Sequence, residues 1–137
     1  MAQFSEKSKE KLVTCHPELQ RLFNEVIKYF DCTIICGYRG REEQNAAYVS
    51  GKSKARFPYS NHNRIPFSLA VDVAPYYKRE PHIDWECREN FCLFAGYVLA
   101  TAKQLNISIR WGGSWNNSLD KREKNIPDDL PHFEVSL

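Results

Sequence analysis

The chain predicts an α+β domain with a small, mainly antiparallel central sheet covered by helices. Segments with apolar residues every three or four positions alternate with short runs that read as strands. Two of those runs, 69–74 and 132–136, set one apolar face against one polar face. The 137 residues, 42% hydrophobic and 26% charged, suit a single domain over 1–137 with one core.

Each element has its own local warrant. Pro17 suits a first helical position, and Leu19, Leu22, Phe23, Val26, Ile27 and Phe30 make an amphipathic stripe, so a helix is expected from 17 to about 31. Residues 32–36, with Thr33, Ile34 and Ile35, read as a strand ending at Gly37. A helix over 41–50 is closed by Gly51, and 52–67, with its basic residues, prolines and asparagines, is a long loop. Strand 69–74 follows, with Leu69, Val71 and Val73 on one face and Ala70, Asp72 and Ala74 on the other. Asp84 is placed to cap a helix over about 85–105 whose stripe is Phe91, Phe94, Ala95, Val98, Ala102 and Leu105. The last strands fall at 107–111 and 132–136; in the latter, His132, Glu134 and Ser136 share a face.

Composition excludes several function classes. A formal charge of +2 is too small to argue for nucleic acid and permits only a weak attraction to an anionic surface. The N-terminus lacks the apolar stretch of a signal peptide and the run 91–100 is too short to cross a bilayer, so a cytoplasmic protein without stable membrane association is expected. Five cysteines, an odd number with no Cys-x-x-Cys pair, indicate buried free thiols and neither a disulfide framework nor a zinc ribbon. A cysteine nucleophile served by His16 or His82 is the sharper alternative, without support from the spacing.

The chemistry gathers on His62, Asp72 and His132. Two imidazoles and a carboxylate make a three-ligand set for Zn²⁺ with a fourth position open, the pattern of a catalytic zinc. Asp129, three residues before His132, stands where a general base is useful. From strand 69–74 alone, Asp72 reads equally as an incidental carboxylate on a polar face or as a ligand given clearance by Ala70 and Ala74. His132 points where Asp72 does if their strands share a sheet, and Glu134 is placed to accept the other N–H of a metal-bound His132.

Gly37-Tyr38-Arg39 with Gln44, Ser60-x-His62, Ala70 to Pro75, Trp111-Gly112-Gly113-Ser114-Trp115 and Asp129-x-x-His132 occur in one order along most of the chain. This ordered set resembles the zinc D,D- and L,D-peptidases of bacterial cell walls, most closely the single-domain phage endolysins that cut L-alanyl-D-glutamate bonds. The resemblance implies the D-Ala-D-Ala metallopeptidase, or hedgehog-like, fold. It implies Zn²⁺ on His62, Asp72 and His132, Asp129 activating water, and Arg39 holding an oxyanion or a substrate carboxylate. Ser60 and Gln44 are candidates to hydrogen-bond the peptide, and Trp115 or Trp111 to wall the site. The chain departs from the family in the ten-residue step from His62 to Asp72, longer than usual, and in Ser114, where relatives often carry Asp. The ligand set therefore requires the extra residues to loop out.

The implied activity is hydrolysis of the L-Ala–D-Glu bond of peptidoglycan by a monomer made in the host cytoplasm and released to the wall by a holin. A D-Ala-D-Ala carboxypeptidase uses the same chemistry, though relatives of that kind commonly carry Glu in the place of Asp129 and often have export signals. A non-catalytic zinc-containing binding domain of the same fold is the remaining alternative.

Overall fold

The computed structural model describes residues 2–122 and 128–137. It opens with a helix that the sequence pattern does not announce, α1 (Glu6–Leu12), capped by Ser5. Leu12 is its only large apolar residue, so it has no stripe; it is tied instead through the buried Ser8 hydroxyl, which meets Thr33 Oγ1 at 3.1 Å and accepts the Ile34 amide at 3.0 Å. Helix α2 (Pro17–Val26) starts at the expected proline, and His16 caps it by accepting the Glu18 amide on Nδ1 at 3.1 Å. It stops short of residue 31 because the Tyr29 and Phe30 amides both turn back to the Val26 carbonyl, which tightens the chain out of the helix.

Strand β1 (Cys32–Cys36) and helix α3 (Arg41–Val49) follow as expected, with Gly51 at φ +83° supplying the left-handed residue past the α3 terminus. The long connection holds one 3-10 turn at Asn61–Asn63 before β2 (Ala70–Pro75). Helix α4 (Arg88–Gln104) begins later than expected, because Asp84 accepts the Glu86 amide at 3.1 Å and closes a separate turn ahead of the helix. Asn106, at φ 58°, ends that segment and turns the chain toward β3 (Ile109–Trp111); β4 (His132–Val135) completes the set.

The sheet order is β1-β2-β4-β3, and every neighbouring pair is antiparallel. Val71, Val73, Phe133 and Val135 are buried in the core with Leu19, Leu22, Phe23 and Val26 of α2 and Phe94, Ala95, Val98 and Ala102 of α4. Phe133 is gripped edge-on by Phe23 and Phe94 at 5.6 and 6.2 Å between ring centres. Burying each large apolar side chain contributes about 1.5–3 kcal/mol, so this face anchors the sheet. The other face carries the polar residues. There the register pairs Asp72 with His132 and, across a bulge between Ile34 and Cys36, Asp72 with Cys36.

Among the described residues, no helix is long and apolar enough to cross a membrane. All five cysteines are free thiols, Cys15 and Cys32 buried and the other three partly so. His16 caps α2 and His82 stacks on Tyr76, so neither serves a cysteine.

Candidate metal centre and active site

His62 is delivered by the turn at Asn61–Asn63. Ser60 caps the turn by accepting the His62 amide at 3.1 Å, while Asn63 Oδ1 accepts the Ser60 amide at 3.0 Å, a reciprocal box that fixes the turn at its start. Asn63 also donates to the Arg39 carbonyl at 2.7 Å, and the Arg39 amide donates to the His62 carbonyl at 2.8 Å. The extra residues between His62 and β2 loop out: Arg64 to Phe67 are exposed, and the Leu69 amide returns to the Asn61 carbonyl at 3.0 Å. Within the ring, Nδ1 lies 2.8 Å from the Gly37 carbonyl oxygen, which can only accept, so Nδ1 carries the proton. Nε2 is then a buried lone pair, and it has no hydrogen-bond partner.

Asp72 gathers the rest. Its Oδ1 lies 3.4 Å from His62 Nε2 and 3.2 Å from His132 Nδ1, and its Oδ2 lies 3.5 Å from Arg39 Nη2. Burial opposes its charge, but the two imidazoles outweigh that and hold the carboxyl well below the usual carboxylate range. His132 turns Nε2 onto Glu134 Oε1 at 2.9 Å, leaving Nδ1 toward Asp72. Glu134 is itself fixed by Arg110 at 3.1 Å and Asn61 Nδ2 at 3.0 Å. An imidazole backed by a carboxylate on its far nitrogen is the arrangement that orients metal-binding histidines.

These groups fit a divalent cation on the evidence of their own chemistry. A buried nitrogen lone pair without a partner and a second imidazole nitrogen freed by Glu134 meet at one oxygen of an ionised carboxylate, and this donor set suits a borderline cation. Two overlapping groups could hold a metal ion, Cys36 with His62 and Asp72, and Asp72 with Asp129 and His132. Without an ion, the imidazoles take up protons: burial pulls His62 down, yet its contacts with Asp72 and Cys36 prevail and raise it to about 10, and His132 is raised too, Asp72 and Glu134 outweighing its burial.

Asp129 Oδ2 stands 3.9 Å from His132 Nδ1, with 47% of its side chain exposed against 10% for His132. It is at once beside the cluster and open to a reactant. Burial, then the charge of Asp72, raises its pKa above the ordinary carboxylate value. Its position depends on Gly112, whose amide donates to the His132 carbonyl at 2.7 Å and whose carbonyl accepts the Asp129 amide at 2.8 Å. A side chain on Gly112 would collide with the Asp129 backbone. Trp111 is core, and its Nε1 steadies the same segment by donating to the Leu130 carbonyl at 2.7 Å.

The remaining expected residues divide. The Trp115 ring centre lies 5.3 Å from that of His132, and the Arg110 guanidinium lies 4.8 Å over the Trp115 ring, so Trp115 stands beside the cluster. Gln44 is fully buried and its amide is fully engaged, accepting from Arg39 Nη1 at 3.0 Å and Asn63 Nδ2 at 3.2 Å and donating to Ser53 Oγ and the Ala55 carbonyl. Direct hydrogen bonding to peptide is therefore corrected to positioning of Arg39. The Ser60 hydroxyl accepts the His62 amide as a cap, which uses one of its lone pairs and not its O–H donor. Ser114 closes a turn by donating to the Ser118 carbonyl. Cys36, Asn61, Asn63 and Arg110 were not singled out from sequence; only Asn63, three residues after the capping Ser60, left a local signal.

A family model described as phage L-alanyl-D-glutamate peptidase matches residues 1–136. The L-alanyl-D-glutamate peptidase of Escherichia phage T5 is 30% identical over 123 residues, covering 88% of this chain and 87% of the relative. The crystal structure of the Serratia marcescens L-Ala D-Glu endopeptidase ChiX superposes with a TM-score of 0.74 at 25% identity, over 98% of this chain and 90% of that one.

Proposed function

The chain belongs to the phage L-alanyl-D-glutamate peptidase family, and from that premise we propose that it is a zinc-dependent endolysin. In this proposal it hydrolyses the bond between L-Ala and D-Glu in the peptidoglycan stem peptide, after a holin has released it from the host cytoplasm. The observation that carries the metal is the buried, unpartnered Nε2 of His62 beside Asp72 and His132. Zinc held by His62, Asp72 and His132 would supply an acidified water and an electrophile for the scissile carbonyl.

The chain's own groups do the rest. Asp129, with 47% of its side chain exposed and its proton affinity raised by burial, accepts the proton of the attacking water and returns it to the leaving amine of D-Glu. Arg39, levelled by Gln44 and partnered by Asp72, presents its guanidinium to the oxyanion or to the free carboxylate of D-Glu. Trp115 shields the His132 side from water and bounds the peptide. Glu134 keeps His132 in the tautomer that leaves Nδ1 free.

Digestion of purified Gram-negative sacculi, with the new termini identified by mass spectrometry, tests the bond. Peptides beginning with D-Glu, L-Ala left on the muramic acid and no free D-Ala are expected. Terminal D-Ala as the main product would make the protein a carboxypeptidase, and no new amine termini in zinc-replete buffer would make it a binding domain. Elemental analysis tests the metal: about one zinc per chain is expected, with most of it lost in His62→Ala and in His132→Ala.

A further inference from the structure

The small net charge hides a strong asymmetry. From Gln44 to Val71 the chain has no acidic residue and four basic ones, Lys52, Lys54, Arg56 and Arg64, so the rest of the chain carries a net formal charge of −2. All four are exposed, and among the described residues none of them is in an ion pair. Tyr59 and Ile65, 78% and 79% exposed, stand among them.

This stretch is built rather than loose. The Gln44 amide holds Ser53 and the Ala55 carbonyl, the Ser53 amide donates to the Ala47 carbonyl at 3.0 Å, and Asn45 Oδ1 accepts the Phe57 amide at 3.1 Å. Arg56 lies 4.8 Å over the Tyr48 ring and Arg41 lies 4.9 Å over Phe57. The same segment then runs straight into the turn that carries His62. Positive charges on a pinned backbone, with an exposed aromatic among them, thus lead along the chain into the turn that carries His62.

We propose that the basic segment from Lys52 to Arg64 is a wall-binding surface that engages the carboxylates of stem peptides neighbouring the one being cut. The proposal rests on the protein acting on cell wall and names a second contact beyond the site. A mesh bearing many stem-peptide carboxylates offers repeated weak partners, and several weak charge pairs on one surface add to a retention that none gives alone. An anionic lipid surface is the less suited occupant, because the segment is a pinned loop without the continuous apolar helical face that beds into headgroups.

The test is co-sedimentation of the zinc-loaded protein with purified sacculi, in the cold before digestion proceeds, at low and high salt. Native protein is expected to pellet at low salt and to be released by high salt. The triple variant Lys52→Glu, Lys54→Glu, Arg56→Glu is expected to bind at least about ten-fold more weakly and to lose the salt dependence. The charge-neutral Lys52→Gln, Lys54→Gln, Arg56→Gln variant, checked by its thermal melt, is expected to fall between the two, and covers the case that the reversed charges misfold. Sedimentation of the neutral variant equal to native, or native binding indifferent to salt, overturns the proposal. So does a triple variant that loses binding only to phosphatidylethanolamine and phosphatidylglycerol vesicles while holding sacculi. Sedimentation requires no hydrolysis, so patch-dependent binding by a protein that releases no new termini would retain this inference while removing the peptidase function.

Discussion

His132 engages both ring nitrogens, Nε2 with Glu134 and Nδ1 toward Asp72 and Asp129, so each neighbour can be tested for a different role. Asp129→Asn removes the proton acceptor and leaves the three proposed ligands; it is expected to keep its metal by elemental analysis while turnover falls by roughly 10²–10⁴-fold. Turnover like that of the native enzyme would take Asp129 out of the mechanism. Glu134→Gln keeps an oxygen for His132 but discards the charge that favours the Nε2–H tautomer, so metal affinity, measured by competition with a chromophoric chelator, should weaken by about 10–100-fold. The convergence of Asp72 and His132 was legible because both lie on the polar face of alternating strands, and a register pairing then makes them neighbours. Gln44 was picked out, but its buried contacts were not legible. Its four partners come from Arg39, Asn63, Ser53 and Ala55, contacts made by the folding of the long loop, which no periodicity reports.

Elements were legible where a pattern repeats and obscure where a single tertiary contact decides. Helices α2 and α4 and strand β2 follow their stripes and alternation, β1 and α3 follow composition and a closing glycine, while α1 has no stripe and depends on Ser8 meeting β1. The N-terminal end of α4 was misplaced because Asp84 satisfies a turn amide before the helix begins, a competition the sequence does not rank. Two glycines separate packing from propensity. At Gly96, within α4, an added methyl group meets nothing within 4 Å, so Gly96→Ala should stabilise the protein by about 0.5–1 kcal/mol through helix propensity. At Gly112, beyond β3, the same group would strike the Asp129 backbone and lie 3.0 Å from His132 Cβ. Gly112→Ala should therefore lower the melting temperature and also displace Asp129, reducing turnover more than its stability loss explains. Calorimetry and single-turnover rates on the two variants check both signs; equal effects would mean that the Gly112 approach does not position the base.

At the scale of the molecule, the fold joins an apolar sheet face, closed by α2 and α4, to a polar face where Asp72 is set against His62, His132 and Arg39. Its architecture was legible from alternation and composition, but the sheet order β1-β2-β4-β3 was not, since strand order depends on contacts far apart in sequence. The charge balance has a pH signature. In the metal-free protein His62 rises from an ordinary 6.5 to about 10, and His132 rises as well. Groups raised on folding stabilise fully below their unfolded value, and that contribution is lost as pH climbs through the folded one; Asp72, lowered on folding, stabilises above its ordinary value of 3.8. The metal-free protein should thus draw most from this cluster between about pH 4 and 6.5 and progressively less toward pH 10. Metal demands the opposite protonation, neutral imidazoles, so its uptake near pH 7 should release protons and its affinity should rise with pH. Thermal melts with and without chelator at pH 5, 7 and 9 are expected to show the gap between the two forms widening with pH, and titration calorimetry in buffers of different ionisation enthalpy should count the protons released. A gap that narrows with pH, or metal uptake without proton release, would show that the histidines are not the groups the metal displaces protons from.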